Sequence, residues 1–340
     1  MSGVIPVASN PDVKVDVYSM VFSYFIPIAI PLMLFSSNLI KIVTESGRLL
    51  IAYIIGAIGI VLGCFLAFNL IDLGEGSGDT AGVIAATLIG GSVNFVATAE
   101  ILKFSTNPLF TATVAIDNFA ANAYVLLLFL VPTIGFLSRF FKKSDIDLTE
   151  NNTTDKETET KNAITLERLA VSAAIAVLVA GAGTVLSPVI QQVIHTELNL
   201  SILIITILAV AVANIFPKSL KKLEETAFTL GLWLMYIFLA VIGAASNLQD
   251  MLHVGLPVLG FYLTIMFFHF FFLLFLAKLF KLDVYEVVVS SAANIMGPSV
   301  AAPMAASLGQ KKMVTPAILV GILGYVIGTF IGVTIALYLS

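Results

Sequence analysis

An all-α polytopic membrane protein is the fold class the sequence predicts, and three observations carry it. Of the 340 residues, 59% are hydrophobic and only 11% are charged, with a mean hydropathy of +1.04; soluble globular domains do not have this balance. The apolar residues gather into about ten runs of membrane-spanning length. Short motifs in the first half also recur, in the same order, in the second, as an internal repeat does.

The runs lie at about 18–39, 48–70, 81–104, 109–137, 168–190, 200–216, 226–247, 256–280, 286–308 and 314–339. A stretch rich in Asp, Glu, Lys, Thr and Asn, 142–165, separates the first four from the last six. It cannot bury a core and reads as a flexible cytoplasmic linker. The expected division is a first repeat over 1–139, the linker over 140–166 and a second repeat over 167–340. Residues 1–18 have neither a basic start nor a continuous apolar core, so no cleavable signal is expected. The single cysteine, Cys64, excludes an internal disulfide and reads as a small core residue.

The repeat rests on spacing. Ser37-Asn38-Leu39 recurs as Ser246-Asn247-Leu248, and Gly90-Gly91-Ser92-Val93 as Gly297-Pro298-Ser299-Val300. Ile5-Pro6 recurs more weakly as Phe216-Pro217. By subtraction of residue numbers the offsets are 209, 207 and 211. The first copy begins where the second has already run two apolar segments, so the chain is expected to be short at its N-terminus relative to its own second half. Loop charge suggests how the copies are related. Lys41 and Arg48 flank one loop of the first copy, and the next (Asp72, Glu75, Asp79) has no basic residue; in the second copy Asp250 and His253 occupy one loop, Lys278 and Lys281 the other. Basic loops favour the cytoplasm, so the swap favours inverted copies. Six segments apart, however, the copies would be parallel. Inversion requires that one segment fails to cross or that one crossing is hidden near the linker.

Two stretches interrupt the apolar runs. Residues 89–100 read Ile-Gly-Gly-Ser-Val-Asn-Phe-Val-Ala-Thr-Ala-Glu, and residues 294–303 read Asn-Ile-Met-Gly-Pro-Ser-Val-Ala-Ala-Pro. Gly90-Gly91 opens a helix because glycine loses the most entropy on ordering; Gly297-Pro298 opens one because proline lacks a donor and clashes with the preceding turn. Backbone groups freed inside a bilayer need partners in protein, water or a bound ion. The two breaks are therefore expected to face each other and form a binding site. Asn94, Thr98, Asn294 and Ser299 are the uncharged ligands for it, although singly each reads as an interhelical hydrogen bond.

Asp117-Asn118 lies inside the run that follows the first break. A carboxylate at the centre of a membrane helix costs about 2.5–3.5 kcal/mol on insertion scales, so it faces a cavity or a partner. Asp117 is expected to hold a sodium ion or a proton, with Asn94, Asn118 and Asn294 completing its surroundings. At the same offset the second copy has Gly324, beside Tyr325. Glu100 reads equally as a bundle residue or as a solvated end beside Lys103. His269, among phenylalanines, reads as a histidine held by one hydrogen bond, with a proton relay as the alternative. Pro27 and Pro31 are expected to kink the first helix. Gly321, Gly324, Gly328 and Gly332 form a stripe for close helix packing. No catalytic or phosphate-binding signature is present, and no basic patch suggests nucleic acid.

Gly90 to Ala97, Ala115 to Asn118, Ser291 to Pro298 and Gly321 to Thr329 resemble the YjcL-like family of uncharacterised integral membrane proteins (domain of unknown function 819), over almost the whole chain from about Val17. That family usually carries further apolar sequence at its N-terminus. It is grouped with the cation:proton antiporter and anion transporter superfamily. The resemblance implies a panel domain, a core domain, two discontinuous crossing helices and an elevator-like motion. In that superfamily's antiporters an acidic pair follows the first broken helix; Asp117-Asn118 offers one acid and one amide. The combined expectation is an inverted-repeat transporter fold: a multi-pass protein of a bacterial plasma membrane that carries a small solute such as an organic anion. Sodium or proton coupling is expected, with no other cofactor. The lipid bilayer is a partner, and a homodimer is admitted. The rivals are a sodium/proton antiporter with no organic substrate and a non-transporting sensor or scaffold.

Overall fold

Every regular element of the computed structural model is helical among the described residues, which are 16–135, 164–196, 198–245 and 248–340. In chain order the helices are α1 (Asp16–Leu34), α2 (Leu39–Glu45), α3 (Gly47–Leu70), α4 (Ser77–Gly90), α5 (Ser92–Ile101), α6 (Pro108–Leu130), α7 (Leu166–Ile194), α8 (Ser201–Ile215), α9 (Pro217–Leu220), α10 (Glu224–Ala245), α11 (Leu248–Leu279), α12 (Val284–Met296), α13 (Pro298–Ser307) and α14 (Val314–Leu339). Most of the polar stretch 142–165, Ile5-Pro6 and Ser246-Asn247 lie outside the described residues.

Six of the described helices are long and apolar enough to cross a membrane, or seven if α1 and α2, bent by 48°, form one span. Their starts follow local chemistry. Asn38, Asn107 and Thr165 each accept a backbone N–H of the first turn of α2, α6 and α7. Asp283 and Glu286 form a reciprocal capping box at the start of α12. Pro27 and Pro31 are accommodated within α1, and the bend comes after it.

Contacts between helix ends define two ends of the bundle. Arg48, at the start of α3, bonds Glu286 at the start of α12 through Nε at 2.7 Å and a second nitrogen at 3.1 Å, and it also bonds the Lys281 carbonyl. Asn214, at the end of α8, bonds the Ser37 carbonyl and the Leu39 N–H. Ile42 of α2 packs on Leu319 and Ile322, near the start of α14. The loops holding Lys41, Arg48, Lys278, Lys281, Lys311 and Lys312 therefore gather at one end. At the other, Gly78 in the first turn of α4 lies against Leu339 and Ser340 at the end of α14.

Runs 81–104 and 286–308 do not cross as single broken helices. α4 and α5 have 14 and 10 residues, so laid end to end they would carry the chain about 35 Å. Instead Asn107, just beyond α5, lies against Gly76, just before α4. α12 starts beside Arg48, and α13 leads directly into α14, whose first turns pack on α2. Each pair is a re-entrant hairpin, and the two enter from opposite ends. The expectation of crossing helices is corrected here: the glycine at each break reverses the chain instead of merely kinking it.

The glycine stripe makes the close packing. Cβ atoms on Gly82, Gly90, Gly324, Gly328 and Gly332 would collide across the α4–α14 contact, and one on Gly321 would strike the Pro298 backbone. On α3, Gly56, Gly59 and Gly63 let α11 approach at His269, Phe272 and Ile265. Cys64 is fully buried.

Candidate functional site: two hairpin tips and a buried carboxylate

The two breaks have the same geometry. Gly91 has φ 78° and ψ −179°, Gly297 has φ 71° and ψ −165°; positive φ with extended ψ is open essentially to glycine alone. The Gly91 N–H still closes the last turn of α4 on Thr87 O at 2.6 Å, and the Gly297 N–H closes that of α12 on Ala293 O at 3.1 Å. The Gly91 carbonyl then accepts from Asn94 N at 3.0 Å, and the Gly297 carbonyl from Ala301 N at 3.2 Å, starting the return helices. Neither α5 nor α13 has a side-chain cap at its N-terminus, so the positive end of each is presented at the tip.

Tyr325 of α14 stands between the tips. A Cβ on Gly91 would lie 3.7 Å from the Tyr325 ring and 3.8 Å from Met296, and one on Gly297 would lie 3.1 Å from the Tyr325 hydroxyl. Ser299, exposed in the first turn of α13, lies near that hydroxyl and donates to Met296 O at 3.4 Å. Gly90, Gly91, Gly297, Pro298 and Ser299 thus converge on one point. Asn94 sits beside it, buried in the notch formed by Gly90, Gly324 and Gly328, and gives its amide hydrogen to Gly324 O at 2.7 Å. Tyr53 of α3 satisfies a carbonyl next to the break, donating to Ile89 O at 2.6 Å.

Asp117 is buried in α6. It accepts from the Tyr262 hydroxyl of α11 at 2.8 Å, and the side chain of Thr87, in the last turn of α4 before the break, lies close by. The carboxylate therefore sits where α6, α11 and the first hairpin meet. An open apolar groove of about 310 Å³ between α6 and α11, lined in part by Ile116, Phe119 and Leu259, runs beside it.

The remaining expected ligands lie elsewhere. Asn118 is exposed and bonds Val114 O of its own helix at 2.9 Å. Asn294 is fully buried but turned to α3: its amide donates to Tyr53 O at 3.3 Å, and its carbonyl oxygen, without a partner, lies over Gly56. Thr98 is fully buried further along α5, its hydroxyl unpartnered. Among the described residues no hydrogen bond joins Asp117 to Asn94, Asn118 or Asn294. Glu100 is half-buried near the end of α5. Reading the sequence missed Tyr53, Thr87 and Tyr262. The available signal was a tyrosine inside an apolar run, since a buried phenol needs a partner.

Two turns from Asp117 on α6 lies a second polar contact. The Tyr124 hydroxyl is 2.7 Å from Ser291 Oγ of α12, Ser291 Oγ is 2.9 Å from His269 Nε2 of α11, and His269 Nδ1 is 2.8 Å from Gly56 O of α3. His269 has two partners rather than the single one expected.

The family model described as "Protein of unknown function (DUF819)" matches residues 5–340. The "Uncharacterized membrane protein YjcL" of Bacillus subtilis (strain 168) is 33% identical over 342 residues, covering 97% of this chain and 84% of that protein. With the six candidate spans, these similarities identify a helical membrane protein, and the chain belongs to the DUF819 family.

Proposed function

We propose that this protein is an ion-coupled secondary transporter of a small anionic solute, with its site where the two hairpin tips meet at Tyr325. The single observation that carries this reading is the convergence at one point of two uncapped helix N-termini from opposite ends of the bundle. Helix N-termini favour a negatively charged group, and half-helices pointing at mid-depth are how many secondary transporters hold their solutes. Asp117, close to Thr87 of the first hairpin, is the proposed seat of the coupling sodium ion or proton.

The fold is read as an inverted repeat, in which α1, α3, the α4–α5 hairpin and α6 correspond to α10, α11, the α12–α13 hairpin and α14. The contact of Arg48 with Lys281 and Glu286 supports it, because it brings together the basic loops that inversion pairs. On this reading α1, α3, α6, α7 and the 15-residue α8 cross between the starts of the copies and the first hairpin does not, an odd number, as inversion needs. The basic end is then the cytoplasmic face of a plasma membrane.

The test is a thermal-shift screen of the purified protein against small carboxylates and other anions, with and without sodium, at two pH values. Stabilisation by an anion that grows with sodium or acidity supports the reading. Stabilisation by sodium or protons alone points to a cation exchanger, the second reading, which the buried Asp117 favours. No shift with any of them removes the transport assignment.

A further inference from the structure

The polar contact around His269 goes beyond that reading and stands without it. Gly56 O is a carbonyl and accepts only, so His269 Nδ1, 2.8 Å away, carries a hydrogen. In the neutral ring Nε2 is then bare and accepts from Ser291 at 2.9 Å. The Ser291 hydroxyl hydrogen being committed to Nε2, its oxygen accepts from Tyr124 at 2.7 Å. Every hydrogen in the row is thus determined, and the order of donors runs from α6 through α12 to α11 and α3. His269 and Ser291 are fully buried, and Tyr124 is nearly so.

The row has a second arrangement, which leaves one donor, the Tyr124 phenol, without a partner in the row. A proton added to the Nε2 lone pair makes Nε2–H a donor to Ser291 Oγ; the serine hydroxyl turns to donate to the Tyr124 oxygen, and the phenol hydrogen turns away. One proton enters and no covalent bond breaks. We propose that His269, Ser291 and Tyr124 form a proton-binding site that joins the second hairpin to α6 and α11, separate from Asp117. The buried titratable groups described on the packed elements are engaged elsewhere. Asp117 on α6 is two turns away with Tyr262 and Thr87, Tyr53 on α3 donates to Ile89 O, and Glu286 at the start of α12 is paired with Arg48. Gly56 is what admits the ring, since a Cβ there would lie 2.9 Å from His269 Cε1.

The test is imidazole ¹⁵N NMR of the full chain, which has three histidines. The His269 signal is assigned by its loss in His269→Gln and, independently, by His195→Asn with His253→Gln, which leaves one imidazole. At about pH 7.5 the expected spectrum has a hydrogen on Nδ1 and none on Nε2; on acidification to about pH 4 a second hydrogen appears on Nε2. Ser291→Ala shifts the Nε2 resonance and moves the titration midpoint by about half to one pH unit, as loss of one hydrogen bond would, leaving Nδ1–H in place. A hydrogen on Nε2 at neutral pH, unfolding or no second proton by about pH 4, or a midpoint unmoved by Ser291→Ala overturns the proposal. None of these readouts involves a transported solute, so the outcome is independent of the transport assignment.

Discussion

The Tyr262 hydroxyl donates to Asp117 Oδ1 at 2.8 Å across the α6–α11 contact, and both residues are buried. Asp117→Ala should abolish ion-dependent uptake into vesicles. Tyr262→Phe removes this donor and should weaken ion dependence by roughly 10- to 100-fold, since a hydrogen bond to a charged group is worth about 1.5–3 kcal/mol. Uptake measured against sodium concentration and pH checks both. Unchanged ion dependence in Asp117→Ala removes the carboxylate from the mechanism.

Gly324 and Gly181 should respond in opposite ways to alanine. A Cβ on Gly324 would meet Ile89 O, the Tyr53 hydroxyl and the Gly90 backbone, most of them unable to yield, whereas nothing lies within 4 Å of one on Gly181 in α7. Gly324→Ala should destabilise by about 1–3 kcal/mol or more through overpacking. Gly181→Ala should be neutral or stabilise by up to about 1 kcal/mol through helix propensity. Thermal unfolding in detergent compares them directly.

Sidedness tests the hairpins. Cysteines at Glu75 and Lys103, in a Cys64→Ala background, should react with a membrane-impermeant thiol reagent from the same side. Cysteines at Lys281 and Lys311 should react from the opposite side. A crossing α4–α5 unit would place Glu75 and Lys103 on different sides, and that result would refute the hairpin.

The ion pair of Arg48 with Glu286 is unequal. The Arg48 side chain is 53% exposed and that of Glu286 only 9%, and Glu286 also accepts the Asp283 N–H at 2.8 Å. Arg48→Ala should cost about 1 kcal/mol or less, and less again at high salt. Glu286→Ala also loses the return bond of the capping box, worth about 0.5–1.5 kcal/mol, and should be the more damaging. Unfolding at two salt concentrations separates the two contributions.

The positions of both helix breaks were legible in the sequence, because Gly-Gly and Gly-Pro act on the backbone locally and need no partner to be recognised. Asp117 was legible for a similar reason: a lone acid in an apolar run is costly wherever it sits. The direction the chain takes after each break was not legible. Hydropathy reports the length of an apolar run, and a hairpin and a crossing helix of equal length read alike. Asn118 illustrates a second limit. Neighbours on a helix point about 100° apart, so Asp117 and Asn118 could not both face the same contact, and only the packing of α11 and α4 decides which one does. Tyr262 and Thr87 come from distant parts of the chain, and nothing in their local sequence names Asp117 as their partner.

One helix, α14, bears on both hairpins: on the first through Gly324, Gly328 and Gly332, and on the second through Gly321. Along the glycine stripe it meets them with bare backbone, and the side chains of Tyr325 and Asn94 reach between. A tilt of α14 that loosened its hold on one hairpin would drive it into the other. Under the proposed transport function the two hairpins would be mechanically opposed, like two doors hung on one post.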